Sequence, residues 1–287
     1  MLGGIIRSFS FYVTLAIILA LLTGGFPAHG STIATIALIL AMTFSISNIP
    51  FKIERDDARE LLLAFLLNYI MLSSIILAMG AAVGKYWEGF VVMAFAPPAI
   101  AVVPLSAILG GNRKQSLFSV LFLYIAALPI LPLMVYAILG KEVNVEVLVK
   151  NILLLIALPL FLSRLIKGKI DAEKTKMVSN ICFFFIVFAI VGENRQFLLE
   201  DISTIFIISI MMAARTIGTG GIFKKMGEIR GLKREKSINY ALFASFKNEG
   251  LVMILAASLF GYGEAIPAMI ALIFELIFIF LLESKLM

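Results

Sequence analysis

The sequence is poor in the side chains that most enzymes and metal centres rely on. Its 287 residues hold one cysteine, Cys182, and one histidine, His29. A lone cysteine in an apolar stretch excludes an intrachain disulfide and a multi-thiolate metal centre. A lone histidine excludes a His-pair site, and its place in a short loop marks it as a surface residue. Charge is scarce as well: Asp, Glu, Lys and Arg make up 15% of the chain, against about 25% in soluble domains. There is no solvated basic face for a nucleic acid, no serine beside a base, and no carboxylate pair at catalytic spacing. An enzyme is therefore not expected, and neither is a cofactor.

What the chain has in abundance is apolar surface. It is 61% hydrophobic with a mean hydropathy of +1.06, well above the 45–50% apolar content of soluble domains. Ten apolar runs, near 5–24, 32–50, 60–82, 89–109, 116–139, 147–166, 176–193, 202–222, 238–260 and 263–282, each approach the ~20 residues a helix needs to cross a bilayer. The first is longer than a signal-peptide core and lacks a clear cleavage site. An all-α polytopic membrane protein is expected, a single membrane domain over 1–287. With the N-terminus inside, 18 of the 24 Lys and Arg residues fall in cytoplasmic segments, and only Lys85, Lys141, Lys150 and Arg195 fall outside. That asymmetry places both termini on the cytoplasmic side of the cytoplasmic membrane. The basic stretch 224–236 is read as a topology determinant, with contact to anionic lipid headgroups as the sharper possibility.

One feature does not fit an apolar run. Phe246-Lys247-Asn248-Glu249-Gly250 interrupts the ninth, although an ionised side chain at mid-helix costs about 2.5–3.5 kcal/mol on insertion scales. Such an interruption is expected where a helix lines a cavity. The fourth run has its own breaker, Pro97-Pro98, and residues 95–110 can be laid on 246–261 without a gap. Ten spans then divide into two repeats of opposite orientation, about 1–140 and 141–287, with interruptions at equivalent depth. Paired broken helices in inverted halves point to a transporter's binding site. Two further charges lie within spans: Arg215, read by default as snorkelling to the interface, with pairing to Glu275 or attraction of an anionic substrate as the alternative, and Glu275, read either as a protonated packing group or as a proton carrier. The glycine-rich 217–221 lacks the preceding strand of a phosphate loop.

At these stretches the chain resembles the bile acid:sodium symporter family. Ala96-Pro97-Pro98, Leu105 to Gly111, and Ala127 to Pro132 resemble that family's fourth and fifth spans, and Lys247-Asn248-Glu249-Gly250-Leu251 resembles its Gln-Asn-Ser-Gly-Leu. The resemblance implies crossing, unwound helices four and nine. It also implies a core of 60–139 and 202–282 that rocks against a panel of 5–50 and 147–193. The family's sodium ligands are only partly matched. Ser116 matches a serine ligand and Asn68 stands for a glutamine, but Phe243, Val102, Val103 and Val120 replace oxygen donors, and Lys247 replaces a glutamine. The resemblance therefore implies transport without the usual sodium sites. The related arsenite carriers use a fourth-span cysteine that is missing here.

The expected function is secondary active transport of a small organic anion, either proton-coupled or uncoupled. The expected site residues are Lys247, Asn248, Glu249, Asn68, Ser116, Pro97, Pro98 and Glu275. Lys247 has two readings: a replacement for the bound cation, or a structural partner of Glu249 or Glu275. A sodium symporter with a divergent site, an intramembrane enzyme and a channel are the rivals; the channel lacks rings of like residues and a filter loop.

Overall fold

The computed structural model describes residues 9–47, 58–140, 144–196 and 201–283. Arg7, Lys52, Arg55, Lys141 and Lys285, which entered the orientation argument, lie outside the described residues, as do the two termini. Among the described residues there is no strand. The chain runs as α1 (Phe9–Thr23), α2 (Gly30–Ser47), α3 (Ala58–Val83), α4 (Trp87–Phe95), α5 (Val102–Leu109), α6 (Arg113–Leu139), α7 (Val145–Leu165), α8 (Ala172–Glu193), α9 (Ile202–Ile229), α10 (Arg234–Phe243), α11 (Glu249–Phe260) and α12 (Ile266–Glu283).

Seven helices are long and apolar enough to cross a membrane, which makes this a multi-pass membrane protein. The outer surface agrees: Leu22, Leu133, Phe161, Phe206 and Phe280 are each more than 60% exposed, an arrangement that lipid tolerates and water does not. The interior holds the polar groups. Asn68, Arg215 and Lys247 are fully buried, and Glu249 and Glu275 are nearly so.

Local sequence explains where helices start and stop. Asn112, Asn144, Asp171, Asp201 and Asn248 each accept a hydrogen bond from a backbone N–H in the following first turn, the usual N-cap chemistry. Asp201 also accepts from Lys85 Nζ at 2.5 Å, and this bond holds its carboxyl below the ordinary carboxylate range. Gly110 ends α5 at φ 81°, a backbone setting that favours glycine. The expected eighth span, 202–222, extends as α9 to Ile229 because Lys224 pairs with Glu228 one turn on, at 2.6 Å, and carries the helix into a polar zone. The ninth begins at Arg234 rather than 238.

Helix α8 packs on α1 and α2, and α7 packs on α2. In the remainder, α4 packs on α3, α6 and α11, while α9 packs on α10 and α12. The apposed helices approach closely at small residues. A β-carbon on Gly192 would sit 2.3 Å from Gly25 Cα, and one on Gly220 would sit 2.3 Å from the Phe278 ring. Polar ties add to this. Glu60 of α3 accepts from Gln115 Nε2 of α6 at 2.6 Å, and from Lys236 Nζ and Tyr240 Oη of α10 at 2.5 and 2.7 Å.

Gly89, at the start of α4, faces the entry to α12 so closely that a β-carbon would lie 2.0 Å from the Glu264 carbonyl oxygen. Gly89→Ala is expected to cost about 1–3 kcal/mol through overpacking, seen as a lower melting temperature in detergent. Gly218→Ala, which meets open space, should leave that temperature unchanged. Equal behaviour of the two would contradict the packing.

Candidate functional site

The fourth and ninth apolar runs are each divided, and the two divisions touch. Between α4 and α5 the break follows from Pro97 and Pro98. A residue that precedes proline is pushed out of helical geometry, and Ala96 is extended at φ −65°, ψ 148°. Proline at 98 also removes the N–H that the Ala94 carbonyl would otherwise accept. Between α10 and α11 the chain leaves the helix at Ala244 and re-enters after Asn248. The sequence placed this breaker at Asn248 to Gly250. In the structure Glu249 and Gly250 already form the first turn of α11, because the Asn248 side chain caps it by accepting from Leu251 N at 3.1 Å. Asn248 N in turn donates to the Pro97 carbonyl at 2.8 Å, joining one break to the other.

Lys247 fills the space between them. Its ammonium donates to the carbonyls of Ala94 at 2.7 Å, Ala96 at 3.0 Å and Asn68 at 3.0 Å, and to Asn68 Oδ1 at 3.1 Å, with Ser73 Oγ at 3.4 Å. The Tyr69 ring lies 4.9 Å away and adds a cation–π contact. These are five oxygens around one cation, and the serine hydroxyl spends its own hydrogen on the Ala94 and Asn68 carbonyls. Every neighbour presents a lone pair, so the cage suits an ammonium and offers no donor to a neutral amine. The pairing of Lys247 with Glu249 or Glu275, one of its two expected readings, is not what the side chain does.

A widened, π-helical turn in the middle of α3, residues Leu66–Leu72, supplies the other half of the cage. Such turns leave backbone groups without their usual partners, and here the Asn68 carbonyl accepts Lys247 and Ser73 instead. The Asn68 amide nitrogen donates to the carbonyls of Phe243 and Phe246 at 3.1 and 3.0 Å, two groups freed where α10 ends. Asn68 thus serves the α10–α11 break with both its donors and its acceptors, and Ser73 of the same helix reaches the Ala94 carbonyl of the other.

The carboxylates belong to Arg215 instead. Its guanidinium donates to Glu249 Oε1 at 2.7 Å, to Glu275 Oε1 at 3.0 Å and to the Ser245 carbonyl at 2.9 Å. Arg215 is fully buried, so the default expectation of snorkelling is corrected. A second π-helical turn, Ala214–Gly218, carries it. Glu275 Oε1 also accepts the backbone N–H of Lys247 at 3.1 Å. Among the described residues, Glu249 Oε2 has no donor.

Around these groups lies a cavity of about 30 Å³. It is lined by Ala99 to Ala101 and Lys247 to Gly250 from the two breaks, by Glu275, and by Ser45 and Phe183 of α2 and α8. That is room for about one or two water molecules, far less than the roughly 300–1,000 Å³ of a small-molecule pocket. The site is closed in this conformation. A larger cavity of about 360 Å³ lies between the same helix groups, lined by Ser31, Thr35, Ile190, Ile254, Ser258 and Tyr262.

Of the residues singled out in the sequence, Lys247, Asn248, Glu249, Asn68, Pro97, Pro98 and Glu275 come together here. Asn248 Nδ2 is held by Tyr124 Oη at 2.6 Å. Ser116 does not join them: it is buried, but its hydroxyl donates to the Arg113 carbonyl of its own helix. Ser73, Tyr69 and Tyr124 belong to the cluster and carried no signal, since a hydroxyl in an apolar helix satisfies itself on a carbonyl as often as it faces a site.

A family model for the SBF-like CPA transporter family matches residues 7–283. The chain belongs to that family, so the resemblance seen in four short stretches extends to a match over nearly its whole length. No curated protein sequence matches it.

Lys247→Met keeps the stem and removes the cation, leaving buried carbonyls unpaired at about 1–3 kcal/mol each. Arg215→Met leaves two carboxylates without their cation, for which about 3–5 kcal/mol is expected. Both variants should melt lower than wild type in detergent. Wild-type melting in either would contradict the assigned contacts.

Proposed function

We propose that the protein is a secondary transporter that moves a small organic anion by alternating access, with Lys247 in the place of a coupling cation. In this reading ten helices form two inverted repeats, about 1–140 and 141–287. A core of 60–139 and 202–282 rocks against a panel of 5–50 and 147–193 in the cytoplasmic membrane, and both termini are cytoplasmic. The observation that carries the reading is the meeting of the two broken helices around a caged ammonium. A five-oxygen cage is the kind of site that holds a small hard cation, and here the cation is tethered to the chain.

The choice of an anion rests on the local fields. The N-terminal ends of α5 and α11 both border the cavity, at Ala99 to Ala101 and at Asn248 to Gly250. Half-helix N-termini carry partial positive charge and favour anionic groups at transporter midplanes. Asn248 is fixed by Tyr124 and by its own cap, so it shapes the break and leaves anion contacts to the backbone. The closed 30 Å³ cavity must widen before an organic anion enters. The cavity has α2 and α8 on one wall and the broken helices on the other, so relative motion of these two groups would open it. Glu249, Glu275 and Arg215 set the charge of the site, and membrane lipid is the remaining partner.

A thermal-shift screen of the purified protein against carboxylates and bile salts, with sodium or choline as the counter-cation, selects the compound. Uptake of that compound into proteoliposomes then tests the reading. Equal uptake in sodium and choline is expected. A saturable sodium requirement would overturn the role given to Lys247, and a screen with no stabilising anion would overturn the substrate class.

A further inference from the structure

We propose that Glu249 and Glu275 share one proton, and that this proton travels with the anion while Lys247 stays charged. The inference rests on the transporter reading above and adds the identity of the coupling group.

Three observations lead to it. First, Lys247 is unsuited to release a proton. All five of its oxygen neighbours accept and none donates, so an amine lone pair there would face carbonyl oxygens. Second, Arg215 draws the carboxyls of Glu249 and Glu275 onto one guanidinium, through Glu249 Oε1 at 2.7 Å and Glu275 Oε1 at 3.0 Å, while the buried Glu249 Oε2 has no donor among the described residues. A carboxylate beside a second carboxylate takes up a proton more readily than one alone. We place the shared proton at that oxygen in the loaded state. Third, the pair borders the cavity at the helix breaks, whose titratable lining groups among the described residues are Lys247, Glu249 and Glu275. The groups that face the pair from packed elements are Arg215 of α9 and the backbone N–H of Lys247. Asn68 and Tyr69 of α3 face Lys247, and Tyr124 of α6 faces Asn248. Neither α2 nor α8 brings a charge to the cavity.

Charge accounting then gives the coupling. Lys247 and Arg215 contribute two positive charges, and two ionised carboxylates cancel them, so the empty site is neutral. One proton on the pair leaves the site at +1, and one monovalent anion beside it restores neutrality. The proton adds to a carboxylate oxygen from one side of the membrane and leaves from it on the other, with no bond broken elsewhere. A buried unpaired charge is expensive in a low-dielectric interior. The two neutral forms, empty and doubly loaded, are therefore the ones able to pass through the closed conformation. The result is one proton moved with each monovalent anion, without net charge transfer.

Infrared pH-difference spectra of the purified protein, without any substrate, test the shared proton. Among the carboxylic-acid C=O bands that titrate in wild type, one is expected to belong to the Glu249–Glu275 pair. Glu249→Gln and Glu275→Gln should each remove it, and Glu193→Gln should retain it. If a Gln variant fails gel filtration, Glu275→Asp keeps the carboxyl and should shift the band instead. A second arm uses the anion chosen by thermal shift: its uptake should acidify a lumenal pH dye at a rate indifferent to a potassium–valinomycin potential. A band unchanged in both Gln variants, or no band at all, overturns the proposal. Uptake without acidification also overturns it and leaves the transporter reading standing. A band that behaves as expected with no uptake of any panel member supports the shared proton and counts instead against the organic-anion reading.

Discussion

The contact on which the site depends is one ammonium among five oxygens. Two helices are interrupted inside a membrane protein, and each interruption strands backbone carbonyls where water cannot reach them. In such a medium every backbone group must find an internal partner. Lys247 supplies the donors for Ala94 and Ala96 in one break, while Asn68 supplies them for Phe243 and Phe246 in the other. Each break is satisfied partly by the other and partly by α3. Neither could form alone at this depth without leaving acceptors bare.

The same arrangement separates two kinds of buried charge. The Lys247 ammonium is balanced by dipoles, chiefly carbonyls, and the carboxylates are balanced by Arg215. Glu275 Oε1 links the two sets through the Lys247 backbone N–H. Dipoles hold an ion in place without cancelling its charge, so the net charge of the site is decided by the carboxylate pair. That division gives each group a separate task. In the proposed cycle one cation stays fixed, and the acidic pair changes state. Both Asn68 and Arg215 sit on π-helical turns, which are rare in helices at large and recur at functional positions.

Much of the fold was legible because a bilayer imposes simple constraints: apolar runs of membrane length, and breakers that cannot be hidden. Lys247, Glu249 and Pro97-Pro98 stood out because their cost at that depth is large. What the one-dimensional pattern could not show was partner choice. Lys247 and Glu249 are two residues apart and of opposite sign, so a local ion pair is the natural reading, but at that separation along a helix start their side chains diverge. Arg215 was assigned to the interface because a long basic side chain near a helix end commonly snorkels, and its burial depends on helices α11 and α12 that only the tertiary structure brings to it. Ser116 went the other way: a matching residue type at the right place in the resemblance, with a hydroxyl that serves its own helix. The boundaries of α9 and α10 were missed because charged turns such as Lys224 with Glu228 continue a helix beyond its apolar stretch.

The central claim is that a side-chain cation occupies a site built for a free one. Lys247→Ala would empty the cage while leaving the Ala94, Ala96 and Asn68 oxygens in place, and sodium titration followed by thermal shift reads the consequence directly. The account predicts that sodium stabilises Lys247→Ala in a saturable way and leaves wild type unaffected relative to choline. Saturable stabilisation of wild type by sodium, or a variant indifferent to it, would contradict the claim.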